Sequence, residues 1–515
     1  MSNKTENIYK KALSIGDAIL SGGKIGLEKE CLRINDSFIS KAKHHKELGS
    51  SLFNKFITTD FSESLLELIT PPSKQKIANF IFLEDIHDFT LSKIGDEFFW
   101  PFSMPLKVNT ESDITIAEYG NSNPAMLKRL YREGLAIRYG SHMQAIAGLH
   151  FNYSLSNSIW DSDLFLQRTK RYQQSKSDIY LGCSRNVQRL NWMILYLYGA
   201  SPIVPNSLLS NQSKEFMSLD DDYSYLPYAT SLRMSDIGYQ SHKQSKLFVS
   251  YNSLNEYILD LYKATDTFSN DFHKMAETSD KGFKQLSPNF LQIEDEYYAT
   301  SRPKSSLDSE ERTLRKLKTN GIDYLEFRSL DLNPFCRSGI DVQTIYFLEL
   351  FLLYCCILDS PKITQEESKE IKMNDLIVAK KGREKMLSLY RNKSRVSLVE
   401  WAERILDEML VIAEVMENDD THYVESIRQA QLRFKSPEST LSAMIIDKTL
   451  SGDLSYEEFG IMRGEENKKE FFNYQNQSWR VLEDEVKLSL NKQIAIENKE
   501  KKPFEEYLQD YLRIV

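Results

Sequence analysis

The stretch Gly26 to Ile34, GLEKECLRI, decides how the chain reads. It sits in a strand-like run, Lys24 to Ile34, behind the helix-breaking pair Gly22-Gly23. Side chains alternate along a strand with period two, so Glu28 and Glu30 share a face with Leu32 and Ile34, roughly 7 Å apart. Cys31 points the other way and is expected to pack. Three more segments repeat the device. In YLEFRSL (324–330), Glu326 and Arg328 share a face with Tyr324, while Leu325 and Phe327 take the other. In AIAGLHFNYSL (145–155), His150 lines up with Gly148, Asn152 and Ser154. In TTDFSESLLELITPP (58–72), Asp60 precedes an apolar run that carries Glu67.

Any one of these segments could be a sheet with one wet face. Together they point to a sheet whose polar face lines a cavity. At an effective dielectric near 20, two charges 4 Å apart interact by about 4 kcal/mol, so crowded carboxylates need a counter-charge. Hard divalent cations meet that need, and Mg²⁺ in particular works with phosphates. One imidazole among the acids is compatible with Mg²⁺ or Mn²⁺. Arg328 could then neutralise a transferring phosphoryl group.

Working outward, 76–93 and 124–139 carry apolar residues at three and four spacing and predict helices, the second opened by Pro124. A strand is expected over Ile146–Leu155, and a helix up to about Leu20. The polar stretches 208–224 and 299–320 read as long loops. Thr344 to Leu358 contains Glu349, is too short for a membrane span and predicts a buried core helix. Beyond about 341 the pattern is mostly helical. The strands do not alternate regularly with helices. The fold class is therefore α+β, with an antiparallel sheet and two parts, 1–340 and a helical 341–515.

The 515 residues can bury a large core without disulfides or a structural metal. A net charge of −9 argues against a dedicated nucleic-acid binder. Five cysteines without CxxC spacing suit a reducing compartment, and the N-terminus lacks a signal-peptide core, so a cytoplasmic address is expected. No GxGxxG, HExxH or GxSxG is present. The Gly16…Gly23-Lys24 stretch has the wrong spacing for a P-loop, and Ile25 replaces its Ser/Thr. His44 and His45 fall in a charged stretch and are expected to be exposed. Arg132, Arg138, Arg302 and Lys304 are each either partners for an anion or plain surface charges.

The chain resembles the glutamate–cysteine ligases of the gammaproteobacterial type. The resemblance is carried by GLEKECLRI, ITTDFSESLLELITP, WPFSMP, LYREGLAIRYG, GLHFNYSL, YLPYATSLRMSDIGY, LQIEDEYYA with RPK, and YLEFRSLDLNPF, in family order. Beyond about 340 it rests mainly on length. Cys31 stands where the family usually has Thr. The resemblance implies a glutamine-synthetase-like core, a curved antiparallel sheet flanked by helices and holding two to three Mg²⁺ or Mn²⁺ ions. It implies ATP-dependent joining of the L-glutamate γ-carboxylate to the L-cysteine amine through γ-glutamyl phosphate, with feedback by glutathione. Glu28, Glu30, Asp60, Glu67, His150 and Glu326 match metal-binding positions, and Arg328 matches the arginine at the transferring phosphoryl group. Arg233 and Tyr239 match substrate-pocket positions. Phe61, Trp100, Tyr131, Leu135, Gln144, Ile146 and Tyr298 match positions around the two amino acids. A monomer without nucleic-acid or membrane partners is expected.

Overall fold

The computed structural model describes residues 3–171, 173–209, 214–238, 244, 247–277, 284–307, 311–452, 454–469, 477–499 and 502–513. Its centre is an eight-stranded antiparallel sheet: β1 (Lys24–Asn35), β2 (Phe38–Ile39), β3 (Ile57–Thr59), β4 (Leu65–Ile69), β5 (Phe98–Phe99), β6 (Leu149–Ser154), β7 (Ser301–Lys304) and β8 (Tyr324–Leu330). The order is β7-β8-β6-β1-β4-β3, and the short β2 and β5 pair with the far end of β1. With sixteen helices among the described residues the class is α+β, as the strand pattern predicts.

Register fixes which side chains meet. Glu28 pairs with His150 across β1 and β6, and Glu30 pairs with Glu67 across β1 and β4. Glu326 pairs with Asn152 across β8 and β6, and with Arg302 across β8 and β7. Directly opposed residues project to the same side, so all of these share one face. The other face carries Leu27, Cys31, Leu149, Phe151, Leu325 and Phe327, each almost fully buried. Lys29 is the exception there. It is 4% exposed, donates to Arg337 O at 3.3 Å, and burial pushes its ammonium below the usual lysine range.

Three helices cover that apolar face: α1 (Lys76–Lys93), with α3 (Lys176–Tyr198) and α4 (Val342–Ile357), while α2 (Asn123–Tyr139) lies elsewhere. Each start is legible locally. Pro124 stands in the first turn of α2. A Ser175/Asp178 capping box opens α3. Asp341 caps α4 by accepting from Thr344 N at 2.6 Å. The core helix expected over Thr344–Leu358 is α4, with 14 of its 16 residues buried. The N-terminal helix stops at Leu13, and Gly16, with φ +61, starts a separate 3-10 turn.

Two expected loops contain structure. Residues 299–320 hold β7 and the helix Thr313–Asn320. Pro303 suits β7 because β7 is an edge strand, needing no ladder donor on its outer side. Residues 208–224 feed a small sheet of Ile203–Pro205, Met217–Ser218 and Tyr223–Tyr225. His44 and His45 are half-buried, not exposed. His45 Nε2 lies 3.0 Å from Glu97, and burial lowers His44 to about 4.

In the helical part, Asp375 is buried against Asn191, whose Nδ2 donates to it at 2.8 Å. Burial raises the Asp375 carboxyl to about 7. Asp375 Oδ1 and Asn191 Oδ1 have no partner among the described residues, and protonation adds the one donor this pair lacks. A raised folded-state carboxyl stabilises at low pH and loses that contribution as pH rises through about 7. Asp375→Asn is therefore expected to raise the melting temperature by a few degrees at pH 8.5 and by clearly less at pH 5. An equal shift at both pH values would refute the assignment.

Candidate active site

His150 organises the polar face. It is 2% exposed, on β6 between the two acids of β1. Nδ1 lies 3.4 Å from Glu28 Oε2, and Nε2 lies 3.5 Å from Glu30 Oε1. Nδ1 is also 3.9 Å from Glu326 Oε1. Asn152 donates to Glu28 Oε1 at 2.7 Å, and Gly148 N donates to Glu30. Glu326 is held by Arg328 and by Lys304 Nζ at 2.7 Å. Asp60 follows β3, its carbonyl fixed by Tyr119 OH at 2.7 Å and by Arg132.

The charges are sorted along this face. Burial alone would raise Glu326, but Lys304, Arg328 and Arg302 hold it well below the ordinary carboxylate range. Burial works against Glu28 too, and there the His150 hydrogen bond and the Lys304 charge keep it low. Burial raises Glu30. It raises Glu67 furthest, and Glu28, Asp60, Glu30 and Glu326 push the same way. The β7–β8 side thus presents cations, and the β4 side presents carboxylates without enough positive charge.

Ligand atoms of Glu28, Glu67 and His150 lie within 4.8 Å of one another, a spacing that could hold a metal ion. His150 Nε2 and Asn152 Oδ1 are buried without hydrogen bonds among the described residues. Oxygen donors with one imidazole fit a hard divalent cation, and the crowding at Glu67 is what such a cation relieves. Glu67→Gln is accordingly expected to raise the melting temperature of the cation-free protein and to shrink the increase that Mg²⁺ adds. An equal Mg²⁺ increment in both proteins would remove Glu67 from the ligand set.

Gln144, Ile146 and Tyr298 meet Asp60 around one small cleft, where Gln144 donates to Tyr298 OH at 3.1 Å. Gly238 lines the same cleft, while Tyr239 lies outside the described residues. Tyr131 and Leu135 lie on α2, one turn apart. Phe61 is buried beside Asp60. Trp100 lies in an aromatic cluster with Phe102 and Tyr456 and donates to Met104 O at 2.8 Å. Arg233 is 1% exposed and donates to the backbone carbonyl of Arg328 at 3.1 Å. Of the other basic residues, Arg138 is fully buried on Glu296, Arg302 donates to the carbonyls of Asp295 and Tyr297, and Lys304 is on Glu326.

Sequence reasoning missed a cleft of about 560 Å³ that opens beside Glu28 and Asn152. Trp160, Tyr180, Ile25 and Ile322 give it apolar walls, and Lys24, Lys74 and Lys176 give it positive charge. Its size and mixed lining are those of a small-molecule site. Alternation gave Glu28, Asn152, Ser154 and Tyr324 a polar-face position, but nothing in it pointed to a cleft.

The glutamate–cysteine ligase family model matches residues 12–378. A glutamate–cysteine ligase of Alcanivorax borkumensis is 39% identical over 99% of both chains, and one of Aliivibrio salmonicida is 40% identical over 98% of both. The likeness thus runs through the helical part. The crystal structure of a glutamate–cysteine ligase from Francisella tularensis in complex with AMP superposes with a TM-score of 0.89 at 33% identity, covering 95% of this chain and 97% of that one. A bifunctional glutathione synthetase from Pasteurella multocida matches with a TM-score of 0.70 at 26% identity, over 91% of this chain but 55% of that one. Among the described residues no helix is long and apolar enough to cross a membrane. This chain belongs to the glutamate–cysteine ligase family, which forms γ-glutamylcysteine with ATP in the first step of glutathione synthesis.

Proposed function

We propose that the polar face between β7 and β4 is where this chain joins the L-glutamate γ-carboxylate to the L-cysteine amine, converting ATP to ADP and phosphate. The observation that carries the reading is the sorting of charge, with Lys304 and Arg328 at Glu326 and surplus carboxylate at Glu67. The nucleotide lies in the 560 Å³ cleft, its base between the apolar walls and its phosphates toward Glu28. The AMP held by the Francisella relative supports a nucleotide in this fold. A divalent cation, held by Glu28, Glu67 and His150 with Glu30, Asp60 and Glu326 nearby, supplies charge neutralisation to the phosphates when bound.

In the first step a γ-carboxylate oxygen of glutamate attacks the γ-phosphorus of ATP, and ADP leaves. Such transfers need positioning and charge stabilisation more than a protein nucleophile. Arg328 and Lys304 supply positive charge at the transferring group. Arg233 pairs with a carboxylate of glutamate, and Gln144, Ile146 and Tyr298, with Tyr131, Leu135, Phe61, Trp100 and Tyr239, shape the space for the two amino acids. In the second step the cysteine amine attacks the acyl carbon of γ-glutamyl phosphate, and phosphate leaves. The part through residue 340 carries these groups and the helical remainder supports it. The same reading makes the enzyme a cytoplasmic monomer, inhibited by glutathione.

The experiment that tests this scheme supplies ATP, Mg²⁺ and L-glutamate without cysteine and adds hydroxylamine. The acyl phosphate should be trapped as γ-glutamyl hydroxamate, in step with ADP. ADP release with cysteine but no hydroxamate under any condition would contradict the intermediate.

A further inference from the structure

We propose that Asp331, the first residue beyond β8, is a positioning residue that sets where the Arg233 guanidinium stands. Asp331 is 4% exposed, and its carboxylate is shared among two chain segments. Oδ2 accepts from Ala200 N at 2.8 Å and from Ser201 Oγ at 2.7 Å. Oδ1 accepts from Ser231 Oγ at 3.0 Å and lies 3.7 Å from Arg233 Nη1. Ser201 Oγ in turn accepts from Arg233 N at 3.2 Å. One carboxylate thus ties the turn at 200–201 and the 3-10 turn Leu232–Met234 to the end of the strand that carries Glu326 and Arg328.

Arg233 is confined from the other side as well. A Cβ placed on Gly148 would lie 1.9 Å from Arg233 Nη2, so the glycine makes the room that the guanidinium fills. Arg233 Nη2 then reaches Arg328 O at 3.1 Å. Its charge is buried within 3.7 Å of the Asp331 carboxylate, and a buried guanidinium needs such a counter-charge. The substrate contact of Arg233 belongs to the function proposed above, and the kinetic arm of the test rests on that reading.

The test is Asp331→Asn, with Ser231→Ala as a milder variant that removes the bond on the oxygen facing Arg233 and a longer one, at 3.4 Å, from Ser201 Oγ. Crystal structures of both give the direct readout: Arg233 should leave Arg328 O. Initial rates should show the KM for L-glutamate raised about ten- to a hundredfold in Asp331→Asn, with less change in kcat and the KM for ATP within about twofold. In an Arg233→Lys background, Asp331→Asn should add less than about twofold, because residues acting through one group are not additive. Gly148→Ala, which displaces Arg233 from the opposite side, should raise the same KM. Arg233 unmoved in both Asp331 and Ser231 variants, or equal rises in both KM values, overturns the proposal. If Arg233 moves while glutamate KM stays constant even in Arg233→Lys, the positioning role stands and the substrate contact of Arg233 falls. Should Asp331→Asn fail to fold, Ser231→Ala decides.

Discussion

Glu326→Gln is expected to lower kcat by about 10²–10³-fold while the chain still folds. Gln keeps the shape of the side chain and loses its charge. That charge is the common partner of Lys304 Nζ, at 2.7 Å, and of Arg328. Without it, the two cations lose the anchor that holds them together over the transferring group, and the acid set loses a member. Removing one partner of a buried ion pair also costs about 3–5 kcal/mol, which makes Gln a better choice than Ala and requires a melting curve beside the kinetics. Arg328→Lys tests the other half of the pair, because a point charge does not replace a planar fork at a phosphoryl group. Near-normal turnover of Glu326→Gln with unchanged Mg²⁺ dependence would remove Glu326 from the site.

The largest expected loss of stability is at Glu349, far from the carboxylate face. Glu349 is fully buried in α4. Oε2 faces Lys76 Nζ at 2.9 Å and accepts from Tyr423 OH at 2.6 Å, while Oε1 accepts from Gly23 N at 2.7 Å. Glu349→Ala strands a buried ammonium, a hydroxyl and an amide at once, and a loss of about 3–5 kcal/mol is expected in urea unfolding. Gly23 immediately precedes Lys24, which lines the large cleft, so the same change should raise the KM for ATP in whatever folds. A loss below about 1 kcal/mol would show that water or repacking replaces the carboxylate.

The Glu349 contact also bears on the glycines before Lys24, whose spacing excludes a phosphate loop. Gly23 is small for reasons of packing. A Cβ there would lie 2.3 Å from the Tyr153 ring and 2.5 Å from Ser154 O. Alternation was enough to bring Glu28, Glu30, His150 and Glu326 to one face, because a strand allows only two faces and their neighbours, Lys29 apart, are apolar. It also brought Arg328 to Glu326 on β8, although a register shift between Phe327 and Leu330 disturbs the ladder beside Arg328. It could not find β7, where Pro303 and two basic residues look like a loop until the edge position explains them. Asp331 and the cleft beside Asn152 depend on segments more than 100 residues apart, and no local pattern encodes such meetings.

The most direct measurement is ADP release by the purified chain with Mg-ATP and L-glutamate, with and without L-cysteine, followed by mass spectrometry of the product. Release should require cysteine and give a product with the mass of γ-glutamylcysteine. Binding of ATP and glutamate with no ADP release, whatever amine is supplied, would contradict the proposed ligation.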